Sequence, residues 1–220
     1  MLLHGTFIRF LYRNEKTGYS TFTVRDKDEN IVLCEGISPH YPKKIPLEIE
    51  GEIISSTEKS VLKVSHIKSY GYSKESVTAF LHSSEFQEVG ISTARKIIEK
   101  TGTDIFSYVR KNRMLEEQHY TETERKTLRK ILRIADFDSL FDYIKEYTGS
   151  YYNTAKIFDK YASDSMDVIT HNPYVLLYAD ADFSLCEKMA REIKMEACDK
   201  KRIHAIVEHA MLMNQKSGNT

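Results

Sequence analysis

Apolar and polar positions alternate over the first third of the chain and then change to a spacing of three or four. Thr6-Phe7-Ile8-Arg9-Phe10-Leu11-Tyr12 is rich in β-formers, and Tyr19-Ser20-Thr21-Phe22-Thr23-Val24-Arg25 alternates aromatic or aliphatic with polar residues. Ile31-Val32-Leu33-Cys34, residues 46–54 and residues 61–67 continue in the same manner. Turn signals at residues 14–18, 26–30, 38–42 and 55–58 separate five predicted strands.

Five short strands within residues 1–72 predict a small Greek-key barrel of the oligonucleotide-binding type, because closing the sheet removes its exposed edges. An SH3-like barrel has the same pattern and stays open at this point. Beyond Tyr72 the helical period takes over. Val77, Phe80 and Leu81 mark one helix, and Ala94, Ile97 and Ile98 another, opened by Ser92 and closed by Gly102. Ile105, Phe106 and Val109 give a short helix; Leu128, Ile131, Leu132 and Ala135 give a longer one behind Thr121-Glu122-Thr123-Glu124, which resembles a capping box. Later segments carry Leu140, Phe141 and Ile144; Ala155, Ile157, Phe158 and Tyr161; Met166, Val168 and Ile169; Leu185, Met189, Ala190 and Ile193; and Ile203, Ile206, Val207, Ala210 and Met211. Helices of 8 to about 15 residues with short joints are expected, in an α+β chain divided as barrel 1–72, helical domain 73–135 and second helical domain 136–220.

Composition sharpens this picture in two places. The chain is 220 residues long, 41% hydrophobic and 29% charged, enough to bury a core, so intrinsic disorder is not expected. Its 32 basic and 32 acidic residues cancel, yet they are unevenly spread: +1 over residues 1–72, +3 over 73–135 and −4 over 136–220. No apolar run approaches the roughly 20 residues of a membrane helix, and MLLHGTFIRF lacks the pattern of a signal peptide. Three widely spaced cysteines, Cys34, Cys186 and Cys198, fit reduced thiols in small core positions and a cytoplasmic setting. The histidines lack ligand spacing and no cysteine pair accompanies them, so no metal site is expected; no catalytic constellation stands out either.

A short helix, a tight turn and a second helix recur. The best copy is Phe86-Gln87-Glu88-Val89-Gly90-Ile91-Ser92-Thr93-Ala94-Arg95-Lys96-Ile97-Ile98. In a helix-hairpin-helix motif, glycines in a hydrophobic-Gly-hydrophobic-Gly turn let backbone N–H groups at a helix start approach a phosphate. Val89-Gly90 keeps half of that turn, while Glu88 puts a carboxylate at the first glycine position. A second copy near residues 116–121 has no glycine, and a third at Tyr178-Ala179-Asp180-Ala181-Asp182-Phe183 has aspartates in their place. Helical scaffold that retains only packing residues is the alternative for all three copies.

This order of parts resembles the N-terminal region of RecD-like ATP-dependent DNA helicases. The resemblance covers about residues 5 to 220 and is carried by order and spacing: Arg13-Asn14-Glu15-Lys16-Thr17-Gly18-Tyr19 in the barrel, Val89-Gly90 to Ile98 in the first hairpin, and Asn172-Pro173-Tyr174 ahead of a turn. Where the family has Gly-Ile-Gly-Phe and then Ala-Asp, this chain has Asp180-Ala181-Asp182-Phe183 and Cys186-Glu187. The resemblance implies a non-catalytic region that engages DNA or regulates that engagement, with ATP and magnesium handled by a C-terminal motor that unwinds DNA with 5′-to-3′ polarity in repair or recombination. No G-x-x-x-x-G-K-[ST] occurs in the 220 residues, so no cofactor is expected for this chain itself, which reads as the front part of a longer protein. RuvA, the Holliday-junction protein, shares the order of barrel and hairpins but differs over the last eighty or so residues.

The DNA partner implied is single-stranded or forked, held weakly and electrostatically. Candidate contacts are Arg13 and Tyr19 in the barrel; Val89, Gly90, Ser92, Arg95 and Lys96 in the first hairpin; and Arg125, Arg129, Lys130 and Arg133 on one helix. The arginines follow i, i+4, i+8 spacing and make a basic face suited to phosphates, although a solvated face balanced by Glu122 and Glu124 has the same pattern. Tyr19 offers a ring for base stacking, and ordinary packing is its alternative. A protein-interaction module without DNA affinity, its barrel and hairpins docked on the motor or on another protein, is the competing class.

Overall fold

The computed structural model of the chain describes residues 1–55, 60–115, 119–148 and 150–216. The expected turn at Ser56-Thr57-Glu58, the Glu116-Glu117-Gln118 part of the second hairpin copy and the last four residues lie outside them. The chain forms two compact units, Met1–Phe141 and Asp142–Thr220.

In the first unit, β1 (Leu2–Arg13), β2 (Tyr19–Asp26), β3 (Ile31–Ile37), β4 (Pro46–Ser55) and β5 (Ser60–Ser69) close a barrel in the order β1-β2-β3-β5-β4. The β3–β5 pairing is parallel and the others antiparallel, so the expected five-stranded barrel is a mixed one. Period two in the sequence becomes an interior of Leu3, Phe7, Phe22, Val24, Cys34, Leu47, Ile49, Leu62 and Ile67, all buried. β1 serves both neighbours: residues 2–6 pair with β4 and residues 5–13 with β2. Gly5 sits where the two pairings overlap. A Cβ there would lie 2.3 Å from Val24 Cγ1 and 2.7 Å from the Arg25 carbonyl, so no side chain fits without displacement. The Arg13 to Tyr19 string is the β1–β2 turn. Asn14 Oδ1 accepts the N–H groups of Lys16 and Thr17, each at 3.0 Å, and Gly18 supplies a φ of 77°.

Four helices follow in this unit: α1 (Lys74–Leu81), α2 (Ile91–Thr101), α3 (Ile105–Lys111) and α4 (Glu122–Thr148). Ser73 and Asp104 cap α1 and α3 through their side chains, and Gly102 at φ 77° ends α2. The capping box at the start of α4 is present. Glu124 Oε2 accepts the Thr121 N–H at 2.8 Å, and Thr121 Oγ1 accepts the Glu124 N–H at 3.3 Å. Lys100 Nζ reaches the same Glu124 oxygen at 2.8 Å, joining α2 to α4. Burial pushes the Glu124 carboxyl up, but the Lys100 ammonium and the Thr121 donors outweigh it and hold the group below its ordinary value. Barrel and helix side chains, from Leu3 to Ala135, form one continuous core.

The expectation of helices no longer than about 15 residues is corrected by α4, which runs for 27 residues. Asp136-Phe137-Asp138-Ser139 interrupts the apolar period without ending the helix, because its polar groups find partners. Arg113 grips Asp136 at 2.6 and 3.2 Å, and Arg110 donates to Ser139 Oγ at 3.3 Å. Asp138, 2% exposed, accepts from the Ser69 N–H at 2.8 Å, the Ser69 hydroxyl and the Tyr41 hydroxyl at 3.1 Å. One carboxylate thus ties α4 to the end of β5 and to the β3–β4 linker.

The second unit contains the end of α4 and α5 (Tyr151–Tyr161), α6 (Ser165–His171), a 3-10 turn at Pro173–Ala179, α7 (Phe183–Glu192) and α8 (Lys200–Lys216). Its core is Ile157, Phe158, Ile169, Tyr174, Leu176, Cys186, Met189 and Ala205. On α8 the expected apolar face points the other way: Ala205 is buried, while Ile203, Ile206, Val207 and Met211 are exposed. Cys34 and Cys186 are buried as expected, and burial pushes each thiol up to about 12. Cys198 departs from that expectation and is exposed. No helix among the described residues is long and apolar enough to cross a membrane.

Two outcomes follow. Asp138→Ala leaves three buried donors without their acceptor and should destabilise the chain by about 3 kcal/mol in urea denaturation. Glu124→Gln keeps the capping geometry and removes the charge. A carboxyl held low in the folded state stabilises above its unfolded pKa, about 4.3, and loses that contribution as pH falls through the folded value. The variant should therefore be about 1 kcal/mol less stable at pH 7. Its deficit should close below about pH 4; a deficit undiminished at pH 3 would exclude charge as the source.

Candidate nucleic-acid interface

The first hairpin is built by α1, a 3-10 turn at Ser84–Phe86 and α2. Phe80, Phe86, Val89, Ala94 and Ile97 bury its inner side, and the Val89 carbonyl is held by His82 Nδ1 at 3.1 Å. Gly90 is the N-cap of α2 at φ −75° and ψ 165°, a conformation open to any residue, and a Cβ there would meet nothing within 4 Å. The glycine is therefore not demanded by the backbone; what it does is leave the helix end open. α2 has no side-chain cap, so the N–H groups of its first turn face outward without intrahelical acceptors. Ser92, Arg95 and Lys96 are exposed around that end. The dipole and these cations favour an anion there, while exposed Glu88, two residues before Gly90, opposes it.

α4 adds a second side to the hairpin turn. Lys126 and Lys130 line a cleft of about 410 Å³ together with Ser84 to Val89, and Lys130 Nζ donates to the Glu85 carbonyl at 3.3 Å. Lys126 and Lys130, which flank the arginines in the sequence, are thus equally well placed at this cleft. Arg129 and Arg133 are exposed on the same helix. Arg125 is drawn down onto Glu122, its side chain only 14% exposed, so the basic face is shorter than the three-arginine spacing implied. Glu85 and Glu88 are exposed on the turn between these cations.

Of the remaining candidates, Val89 lies at this turn with its side chain buried, 4% exposed, whereas Arg13 and Tyr19 belong to the barrel. Arg13 belongs to the barrel, where Nη1 donates to the Ser38 and Pro39 carbonyls at 3.1 and 3.2 Å and the guanidinium lies 5.0 Å from the Phe10 ring centre. With a side chain 5% exposed, it secures the β3–β4 linker and is not a surface cation. Tyr19 is exposed, donates to the Glu35 carboxylate and meets Tyr12 edge to face at 6.5 Å. Its hydroxyl is held above its ordinary pKa first by that hydrogen bond and then by burial.

In the second unit, the hairpin between the 3-10 turn and α7 keeps the fold of the motif with different chemistry. Asp180 adopts φ 61°, the left-handed region a turn glycine would supply, and Asp182 is the N-cap of α7. Lys156 pairs with Asp180 at 2.7 Å. Asp182 makes no capping hydrogen bond to α7, but two carboxylates at its amino end oppose a phosphate there. The Asn172-Pro173-Tyr174 string is structural: Asn172 caps the 3-10 turn, Pro173 opens it, and Tyr174 donates to Glu187, which also takes both arms of Arg202. That network joins the 3-10 turn, α7 and α8; no spacing rule announced Arg202 as its third member.

No curated protein matches the chain. Residues 134–220 match the family model described as the ATP-dependent RecD2 DNA helicase HHH domain, the stretch that holds the Asn172-Pro173-Tyr174 turn, the Asp180–Asp182 hairpin and the Tyr174–Glu187–Arg202 network. With a closed five-stranded barrel ahead of it, that domain fits the N-terminal region of a RecD2-like helicase.

Proposed function

We propose that this chain is a non-catalytic region that engages DNA, and regulates that engagement, for a motor of the RecD2 kind, an ATP-dependent 5′-to-3′ helicase acting in repair or recombination. The observation that carries the reading is the match of residues 134–220 to the helicase's HHH domain behind the barrel. ATP and magnesium belong to the motor, the chain's principal protein partner. DNA, single-stranded or forked, is held weakly and electrostatically at the open amino end of α2, with Ser92, Arg95 and Lys96 around it and Lys130, Arg129 and Arg133 alongside on α4. The match over residues 134–220 favours this reading over a junction binder of the RuvA kind.

A protein-interaction role is the second reading, and the exposed Ile203, Ile206, Val207 and Met211 of α8 favour it. The two separate in solution. Titration of the chain with single-stranded, duplex and forked DNA over a range of salt should show binding that weakens with salt. Arg95→Ala with Lys96→Ala should lower the slope of log K against log salt by about 1.4 on single strands, near 0.7 for each lost phosphate contact. Absence of binding to all three DNAs at low salt would leave the interaction reading.

Arg13→Ala separates the barrel cation from these contacts. It should cost about 2 kcal/mol of stability, through the lost charge-assisted bonds to Ser38 and Pro39, and leave the salt slope unchanged. Thermal unfolding and the same titration read the two effects independently.

A further inference from the structure

A groove of about 950 Å³ opens in the first unit between α1, α2 and the linker from β3 to β4. Three elements each place one cation in it: Lys44 from the linker, Lys74 from the first turn of α1 and Arg95 from α2. None of these three side chains has an ion-pair or hydrogen-bond partner among the described residues, although Glu75 and Glu99 line the same groove. The floor between them is apolar, made by Ala79, Ile91 and Ile98, and Ile91 is 50% exposed.

Lys44 is held in place by its backbone. It adopts φ 66°, which a lysine rarely does, while its N–H donates to the Phe7 carbonyl at 2.9 Å and the Ile45 carbonyl accepts from Phe7 N–H at 2.9 Å. These bonds lay the linker along β1, where the His40 ring lies tilted against Phe10 with ring centres 5.4 Å apart. The groove therefore begins at the open end of α2, where Ile91 and Arg95 belong to both places, and leads toward the barrel wall.

We infer that this groove carries a single strand of DNA from the first hairpin toward the barrel. Phosphates meet Lys44, Lys74 and Arg95, and the apolar floor takes the sugar and base faces. The apolar floor suits the unpaired base and sugar faces of a single strand, whereas a duplex keeps its bases stacked inside, so the contact selects single-stranded DNA. The inference rests on the DNA-binding reading above and adds to it a strand preference and two residues, Lys44 and Lys74, that no sequence pattern singles out.

The full chain and its Lys44→Ala/Lys74→Ala variant are compared by fluorescence anisotropy with a short labelled oligothymidylate and a blunt duplex of equal length, over a salt series, with thermal unfolding as the control for folding. Expected is a loss of roughly tenfold or more in single-strand affinity at about 0.1 M salt and a slope lowered by about 1.4, with duplex affinity changed less than about twofold and unfolding unaltered. Equal losses on single strand and duplex, or no loss on either, would overturn the groove as a strand path while leaving hairpin binding intact. Failure of the unaltered chain to bind either DNA would overturn both readings together. Lys44→Arg/Lys74→Arg, which keeps the charges, should restore the single-strand affinity; a variant that fails to do so also counts against the inference.

Discussion

The Asp138 carboxylate is the constraint on which the first unit depends. A charge buried to 2% exposure is tolerable only when fully bonded, and its partners lie on the end of β5 and in the β3–β4 linker. α4 is therefore fixed against the barrel in one axial position. Its other contacts inherit that position: Asp136 meets Arg113 beyond α3, Ser139 meets Arg110, and Glu124 reaches back to Lys100 on α2. The hairpin is thereby set relative to the barrel by polar contacts of defined geometry, laid over a continuous apolar core that by itself would tolerate sliding.

The two hairpin turns differ in backbone as well as in charge. In the first, Gly90 leaves the end of α2 without a side-chain cap, and exposed Glu88 before it and Arg95 and Lys96 after it bring charges of both signs. In the second, Asp180 performs the conformational task of a glycine and brings a charge with it, which Lys156 neutralises. Asp182 sets a carboxylate at the positive end of α7, whereas Gly90 sets none at that of α2. The uneven charge along the chain, positive through the first hairpin and negative after it, is the same division seen in one dimension.

Much of this was legible in the residues because each feature is local. Period two announced the strands, Thr121 and Glu124 announced their capping box, and Asn14 to Gly18 announced a turn. What escaped depended on partners distant in sequence. Asp136 and Asp138 look like a break between helices until Arg113, Ser69 and Tyr41 are seen around them. Arg13 looks like a surface cation until the Ser38 and Pro39 carbonyls close on it, and α8 carries an apolar stripe whose spacing cannot say which side is buried. For the candidate interface, helical spacing marked the basic face of α4 but could not show that Arg125 folds down onto Glu122.

The thiols have a practical consequence. Cys34 lies inside the barrel and Cys186 inside the second unit, each with its pKa raised to about 12, while Cys198 is in contact with solvent. At neutral pH the buried pair is shielded both by packing and by the scarcity of thiolate, the species that reacts. This chain thus offers a single exposed thiol as an attachment point for a dye, without mutagenesis. The two silent thiols become reporters of opening, one for each unit, so the order in which the units come apart can be read from the order in which their cysteines acquire a label.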